Sequence, residues 1–322
     1  MKTWKRAAFA ALAMAAGLAQ AQGAWPTKTV KVIVGFPPGG STDQVARVLA
    51  GQLQTQLGQQ FIVENKPGAS ASIGAGAVAS APPDGYTIGV VFDTHGVNPS
   101  LIPNLPFDTL RDLNTVMLVG TSPMAIVTKA DQPWKDFKEV LASAKAKPGS
   151  VAIGSIGSGS LGHLAVAQIG NLLNVELTHV PYKGGGPLMI DAVGGQVPFA
   201  IGSVFVVNPH VKSGKLKALA VTSAKPSPTM PGVGTVADQG VPGFSALAWW
   251  GVIAPAKIPP AVTKKLVEEL QKALKVPAIA EKLQAQGMEI VGSGPDEANR
   301  FVKGEIDRWA KVVKDNKIKA GD

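Results

Sequence analysis

Cysteine is missing from all 322 residues of the chain. That excludes disulfides, thiolate nucleophiles and thiolate-bound metals, and with them a lipoprotein tethered through a cysteine at its cleavage point. Histidine is nearly as scarce: His95, His163, His179 and His210 stand far apart, at no metal-like spacing. No serine sits in a G-x-S-x-G elbow. Charged residues make up only 16% of the chain and alternate in sign, as where Lys264-Lys265 is followed by Glu268-Glu269. Such a face is a solvated helix surface and not a nucleic-acid stripe. Beyond the first 21 residues no run reaches the ~20 apolar residues of a membrane span.

What is present begins with an address. Lys2, Lys5 and Arg6 form a basic head, Ala7–Ala19 an apolar stretch, and Ala19-Gln20-Ala21 a small-x-small cleavage site. The pattern predicts a secretory signal peptide over residues 1–21, with an N-terminal anchor helix as the alternative. Lys5-Arg6 is not a twin-arginine signal. Cleavage near Ala21 would remove three positive charges, taking the formal net charge from +9 to +6, and would deliver an unanchored periplasmic protein. A mildly basic protein there attracts small organic acids modestly.

The remaining ~300 residues suffice for two domains. Strand patterns at Val30–Val34, Phe61–Val63 and Tyr86–Phe92 alternate with helical ones. The first helix carries an apolar stripe at Val45, Val48, Leu49, Leu53 and Leu57, with Ser41 or Thr42 able to cap it and Asp43 in its first turn. The second is a small-residue helix at Ser72–Ala81. A second such series has strands at Met124–Thr128, Val151–Gly154, Glu176–Val180, Pro198–Ile201 and Leu216–Val221. Its helices are predicted at Trp134–Ala146, Leu161–Leu173 and Leu188–Val193. A strand at Trp249–Ala254 then precedes helices at Pro260–Leu274, Pro277–Gln286 and Asp296–Asn316. The expectation is an α/β protein of two lobes that the backbone crosses twice.

Three corners, Gly35–Thr42, Gly154–Gly162 and Pro181–Pro187, each join a strand to a helix through glycine and proline. Helix starts of this kind aim backbone N–H groups at open space and suit an anion. Gly157-Ser-Gly-Ser-Leu-Gly162 also fits the dinucleotide pattern G-x-G-x-x-G, but the acid that should end the next strand, Glu176, begins it. The better reading is a helix entry presenting amides and the Ser158 and Ser160 hydroxyls to a small anion. A hydrolase would recruit Ser160, His163 and Asp191, yet Ser160 and His163 share one helix face, so His163 caps, packs or donates to a ligand. Lys183 stands at the mouth of a three-glycine turn, and the Trp249-Trp250 pair reads as buried aromatics near the second crossing.

Phe36-Pro-Pro-Gly-Gly-Ser-Thr-Asp43, Asn65-Lys-Pro-Gly68, Pro83-Asp-Gly-Tyr86, His179-Val-Pro-Tyr-Lys-Gly-Gly185, Lys215-Leu-Lys-Ala-Leu-Ala220 and Trp249-Trp-Gly-Val-Ile-Ala-Pro255 follow one another in this order. Together they resemble the Bug/TctC family of periplasmic solute-binding proteins of tripartite tricarboxylate transporters, over essentially the whole mature chain. The resemblance implies a type II, Venus-flytrap fold of mixed sheets flanked by helices. It implies lobe 1 at 22–123 plus 246–322 and lobe 2 at 124–245. A small carboxylate in the cleft, membrane permease subunits as partners, no cofactor, no metal and no enzymatic activity are implied as well, and a monomer is expected.

Carried onto this chain, the first-lobe clamp is Phe36, Pro38, Gly39, Gly40, Ser41 and Thr42, with Asp93, Thr94 and His95 near the cleft. The second-lobe clamp is Ser155, Ser158, Gly159, Ser160 and His163, with Lys183, Gly184, Gly185 and Ser203. Two departures from the family pattern stand out. Gly202-Ser203 replaces a frequent Asp or Asn, and Asp93 replaces a frequent Ser, Thr or Asn. Loss of the first carboxylate favours an aliphatic or aromatic dicarboxylic acid without an amine, while Asp93 either restores an ammonium partner or is structural. A ligand-sensing subunit for a membrane histidine kinase and an exported serine hydrolase are the alternative functions.

Overall fold

The computed structural model describes residues 25–318, and the expected signal peptide lies outside the described residues. In chain order the elements are β1 (Val30–Val34), α1 (Ser41–Leu57), β2 (Phe61–Asn65), α2 (Ser72–Ala79), β3 (Thr87–Phe92), α3 (Thr94–Leu101) and β4 (Leu113–Lys129). They continue with α4 (Phe137–Ala146), β5 (Val151–Ser155), α5 (Leu161–Leu173), β6 (Leu177–Pro181), α6 (Gly185–Gly194), β7 (Phe199–Ser203), α7 (Val204–Lys212) and β8 (Leu216–Val221). The last are β9 (Leu247–Pro255), α8 (Pro260–Lys275), α9 (Pro277–Ala285), β10 (Glu289–Ile290) and α10 (Pro295–Asp315).

One sheet runs β2-β1-β3-β9-β4 with β10 on the far side of β4; the other runs β8-β4-β7-β5-β6. β1 pairs parallel with β2 and β3, and β5 parallel with β6 and β7, whereas β4 and β9 pair antiparallel with their neighbours. Parallel strands covered on both faces read as continuous Val/Ile runs, which is why Val30, Val32, Ile33 and Val34 are all buried. α1 seals one face with Val45, Leu49 and Leu53, each burial contributing roughly 1.5–3 kcal/mol. This is a two-lobed α/β architecture in which β4 serves both lobes.

The shared strand makes the connection between sheets. Residues up to Pro123 pair with β9, and Met124 onward pairs with β7 and β8. The sequence pattern predicted only the second half of β4, since its first half lies in a run without turn signals. α3 and α7 were also not predicted: each is short, mostly buried, and contains a proline, Pro99 or Pro209. A helix buried on most sides shows no polar face, so periodicity cannot separate it from a loop. α6 starts at Gly185, three residues before the expected Leu188, and α4 starts at Phe137, where the Asp136 side chain accepts a hydrogen bond from the Glu139 amide at 3.0 Å.

Candidate functional site

The C-terminal ends of the parallel strands from both sheets point at one another, and the loops that leave them enclose a cleft. β1 feeds the Gly35–Gly40 loop, β3 feeds Asp93, β5 feeds the Ile156–Ser160 loop, β6 feeds Tyr182–Gly184 and β7 ends at Ser203. Ligands of open α/β sheets bind outside such strand ends. A cavity of about 590 Å³ lies here, its walls Phe36, Pro37 and Ser70 on one side and Ser158, Tyr182 and Lys183 on the other. A second groove of about 840 Å³ runs along Pro38, Gly39 and Gly185 towards His210.

Between these spaces the backbones almost touch. A Cβ on Gly40 would lie 3.7 Å from the Gly185 amide nitrogen, and one on Gly184 would lie 3.2 Å from Pro37. Gly40 is the residue before α1 and Gly184 the residue before α6, and no side chain caps either helix. The expectation that Ser41 or Thr42 caps α1 is therefore corrected: both are buried in the first turn, and the cap position is a glycine. Two helix N-termini without a side-chain cap thus meet here, and such ends favour an anion.

The first loop is held from inside. Asp43 accepts from the Gly39 amide at 3.0 Å, from Asn65 Nδ2 at 2.9 Å and from Arg47 Nε at 2.9 Å. Burial raises the Asp43 carboxyl, but these hydrogen bonds outweigh it and hold the group below its ordinary value. Asn65 also donates to the Phe36 carbonyl at 2.9 Å. Gly39 therefore shapes the loop, its own N–H being engaged by Asp43.

The second loop is built differently. Ser160 caps α5, its hydroxyl accepting from the His163 amide at 3.3 Å, and the Gly159 amide donates to His163 Nδ1 at 3.0 Å. Ser160 Oγ donates to Ser155 Oγ at 3.2 Å, and Ser155 Oγ lies 2.7 Å from His179 Nε2. The His163 and His179 rings stack with centroids 4.0 Å apart. Ser155, Ser160 and His163 are thereby buried beneath the loop as its braces. His179 braces the loop through Ser155, a place that its sequence motif does not reveal.

Ser70 was missed altogether. Its hydroxyl donates to the Ser158 carbonyl at 2.6 Å, joining the two sides of the cleft, and its carbonyl accepts from Asn98 Nδ2 at 2.9 Å. Ala69, Ser70 and Ala71 all have positive φ, at 44°, 52° and 71°. Non-glycine residues rarely take that conformation and carry no sequence mark of it.

Behind the loops lies a set of buried polar atoms with no hydrogen-bond partner. Among the described residues it includes Thr94 Oγ1, His95 Nε2, Asn98 Oδ1, Ser203 Oγ and the indole nitrogens of Trp249 and Trp250. The amides of Leu161, at the start of α5, and of Thr94 face the Asp93 carboxyl. Burial pushes that carboxyl well above the ordinary range, the two amides oppose the rise, and Glu305 adds to it. Burial also pulls the His95 imidazole down to about 4, so the ring is neutral. Trp250 packs between Phe92 and Phe205, at centroid distances of 5.1 and 5.3 Å, joining the residues beside Asp93 to those beside Ser203. Trp249 is enclosed against Phe301 instead.

Comparison with known proteins agrees with this architecture. The family model described as "Tripartite tricarboxylate transporter family receptor" (TctC) matches residues 45–318. Protein BugT of Bordetella pertussis is 38% identical over 297 residues, covering 92% of this chain and 91% of the relative. The structure of R. palustris Rpa4515 with adipate superposes with a TM-score of 0.88 at 32% identity, covering 92% of this chain and 99% of its own. MatC from Rhodopseudomonas palustris with bound malate gives a TM-score of 0.84 at 31% identity, covering 90% and 100%. The chain belongs to the TctC/Bug family of periplasmic solute-binding proteins.

Proposed function

We propose that this protein captures a small carboxylate, an aliphatic or aromatic dicarboxylic acid, in its interlobe cleft. It then delivers the acid, as an exported monomer, to the permease subunits of a tripartite tricarboxylate-type transporter. The observation that carries this reading is the meeting of two uncapped helix N-termini, those of α1 and α6, across a cleft. A carboxylate has roughly four acceptor sites, and each charge-assisted hydrogen bond contributes about 1.5–3 kcal/mol. Three or four of them contribute about 4.5–12 kcal/mol, so that after the several kcal/mol lost in rigid-body freedom the ~8 kcal/mol of micromolar binding needs bonds at the strong end of that range. The relatives solved with adipate and with malate support a dicarboxylate as the cargo.

The lobes we propose are 22–123 plus 246–322, and 124–245, after removal of a signal peptide over residues 1–21. Clamps from both lobes then close on the acid, with Phe36, Ser158 and Lys183 at the cleft wall. The test is a thermal-shift screen of mono-, di- and tricarboxylates followed by calorimetry. At least one dicarboxylate should raise Tm by several degrees at 100 Kd, from the ~2.7 kcal/mol of linkage that such an excess supplies. A screen in which amino acids or sugars stabilise the protein and no carboxylate does would overturn the reading.

A further inference from the structure

We propose that Ser70 is an interlobe latch, whose hydroxyl holds the two proposed lobes shut over the cleft whether or not a ligand is present. The inference rests on the capture reading above and deepens it, naming what sets the closure of that cleft. Its starting point is the strained turn before α2. Ala69, Ser70 and Ala71 take positive φ in succession, at 44°, 52° and 71°. Residues with a side chain rarely adopt that conformation, and it persists only where the surroundings impose it. Here they do. Asn98, buried on α3, donates to the Ser70 carbonyl at 2.9 Å. Ala71 lies so close to the loop after β1 that a Cβ on Gly35 would sit 2.5 Å from the Ala71 Cβ. Held in this way, Ser70 turns its hydroxyl across the cleft and donates to the Ser158 carbonyl at 2.6 Å.

The receiving loop is fixed as well. A Cβ on Gly159 would lie 2.7 Å from Leu101 Cδ1 and 3.8 Å from Ser70 Oγ, so a glycine lets this loop settle against the opposite lobe. The Ser160 cap on α5 and the Gly159 amide bonded to His163 anchor it from beneath. Ser70 and Ser158 both line the 590 Å³ cavity, so the bond between them bridges its two sides. Asn208 and Lys212 also reach the Ala285 carbonyl across the proposed lobes, and Asn171 reaches Asn316, but none of these residues lines that cavity. A bond made by protein atoms alone acts on the closing equilibrium and not on the choice of ligand. It raises the closed fraction of the free protein, and with it the apparent affinity for every cargo of the closed form by the same factor. One neutral hydrogen bond shifts such an equilibrium by about two- to tenfold.

The test exploits the lack of cysteine: spin labels on Ser80→Cys and Lys145→Cys, both exposed and on opposite proposed lobes, would occupy the chain's only thiols. Label distances in the ligand-free mature chain should show a closed population, and its ratio to the open one should fall about two- to tenfold in Ser70→Ala. Ser70→Gly suits the positive φ and removes the hydroxyl without adding strain. It should show the same fall, and it serves if Ser70→Ala does not fold as judged by its melting curve. In calorimetry, each of succinate, malate and adipate that binds wild type should lose affinity by one common factor in these variants. A ratio of populations unchanged in both variants overturns the proposal and leaves the carboxylate reading intact. So do affinity losses that differ by more than about fivefold between acids, since a latch acts equally on all of them and Ser70 would then be a ligand contact. If no acid binds wild type, the carboxylate reading falls, and the label distances still decide for or against the latch.

Discussion

Asp43 shows how one side chain can shape a cleft loop from underneath. Its carboxyl engages the Gly39 amide, Arg47 and Asn65 at once, and Asn65 reaches on to the Phe36 carbonyl. In the sequence Asp43 reads only as a favourable charge in a first helical turn, which is true of its position in α1. Its larger role was not legible, because the partner Asn65 comes from β2 and is brought beside Val34 by strand register. Replacing Asp43 with Ala leaves the Gly39 and Asn65 donors unpaired, so a loss of about 1–3 kcal/mol is expected in denaturant unfolding at pH 7, together with weaker carboxylate binding. The folded-state pKa lies below the ordinary 3.8, so the contribution of Asp43 is fully present above that value and is lost as pH falls through the lower folded one. Wild type should therefore lose more stability than Asp43→Asn between pH 5 and pH 2. Equal losses in the two proteins would show that Asp43 does not bear this load.

At the scale of elements, the parallel strands and the amphipathic helices were readable, because Val/Ile runs and the stripe on α1 follow directly from burial. Helix starts were readable as glycine corners but not in their detail. Gly40 and Gly184 hold the cap positions of α1 and α6 without a side-chain cap, whereas α5 is capped by Ser160. The sequence shows hydroxyls at the first and third of these helices and gives no rule for which one turns inward to cap. Gly184 carries φ of 117°, and a Cβ there would press on Pro37 at 3.2 Å. A β-branched side chain at this place adds backbone strain of roughly 1–3 kcal/mol and holds the α6 start away from the α1 loop. Gly184→Val is expected to weaken the best carboxylate by more than tenfold in calorimetry while leaving a cooperative melting transition. Unchanged affinity would mean that the α6 start is no part of the clamp.

On the scale of the whole molecule, the two sheets are joined where three segments meet. Thr222 donates its amide to the Met124 carbonyl at 2.9 Å and its hydroxyl to the Ala246 carbonyl at 2.6 Å, and its carbonyl accepts from the Ala246 amide at 2.9 Å. Its hydroxyl also accepts from the Met124 amide at 2.8 Å. These contacts hold the crossing segments together where the two sheets meet, and rotation of one lobe on the other is the expected motion. A ligand drives such a motion only by binding the closed form better. The absence of cysteine makes this directly measurable, since engineered thiols would be the chain's only ones. Gly40 and Gly185 approach closely enough across the cleft (a Cβ on Gly185 would lie 3.8 Å from Gly40 Cα) for the ~3.5–4.5 Å Cβ separation of a disulfide. In Gly40→Cys/Gly185→Cys, mild oxidation should cross-link the two residues several-fold faster with a saturating dicarboxylate than without, and the oxidised protein should keep a compact radius in small-angle scattering after the ligand is dialysed away. A cross-linking rate indifferent to ligand would mean that capture proceeds without closure, and the cleft would then be a fixed socket.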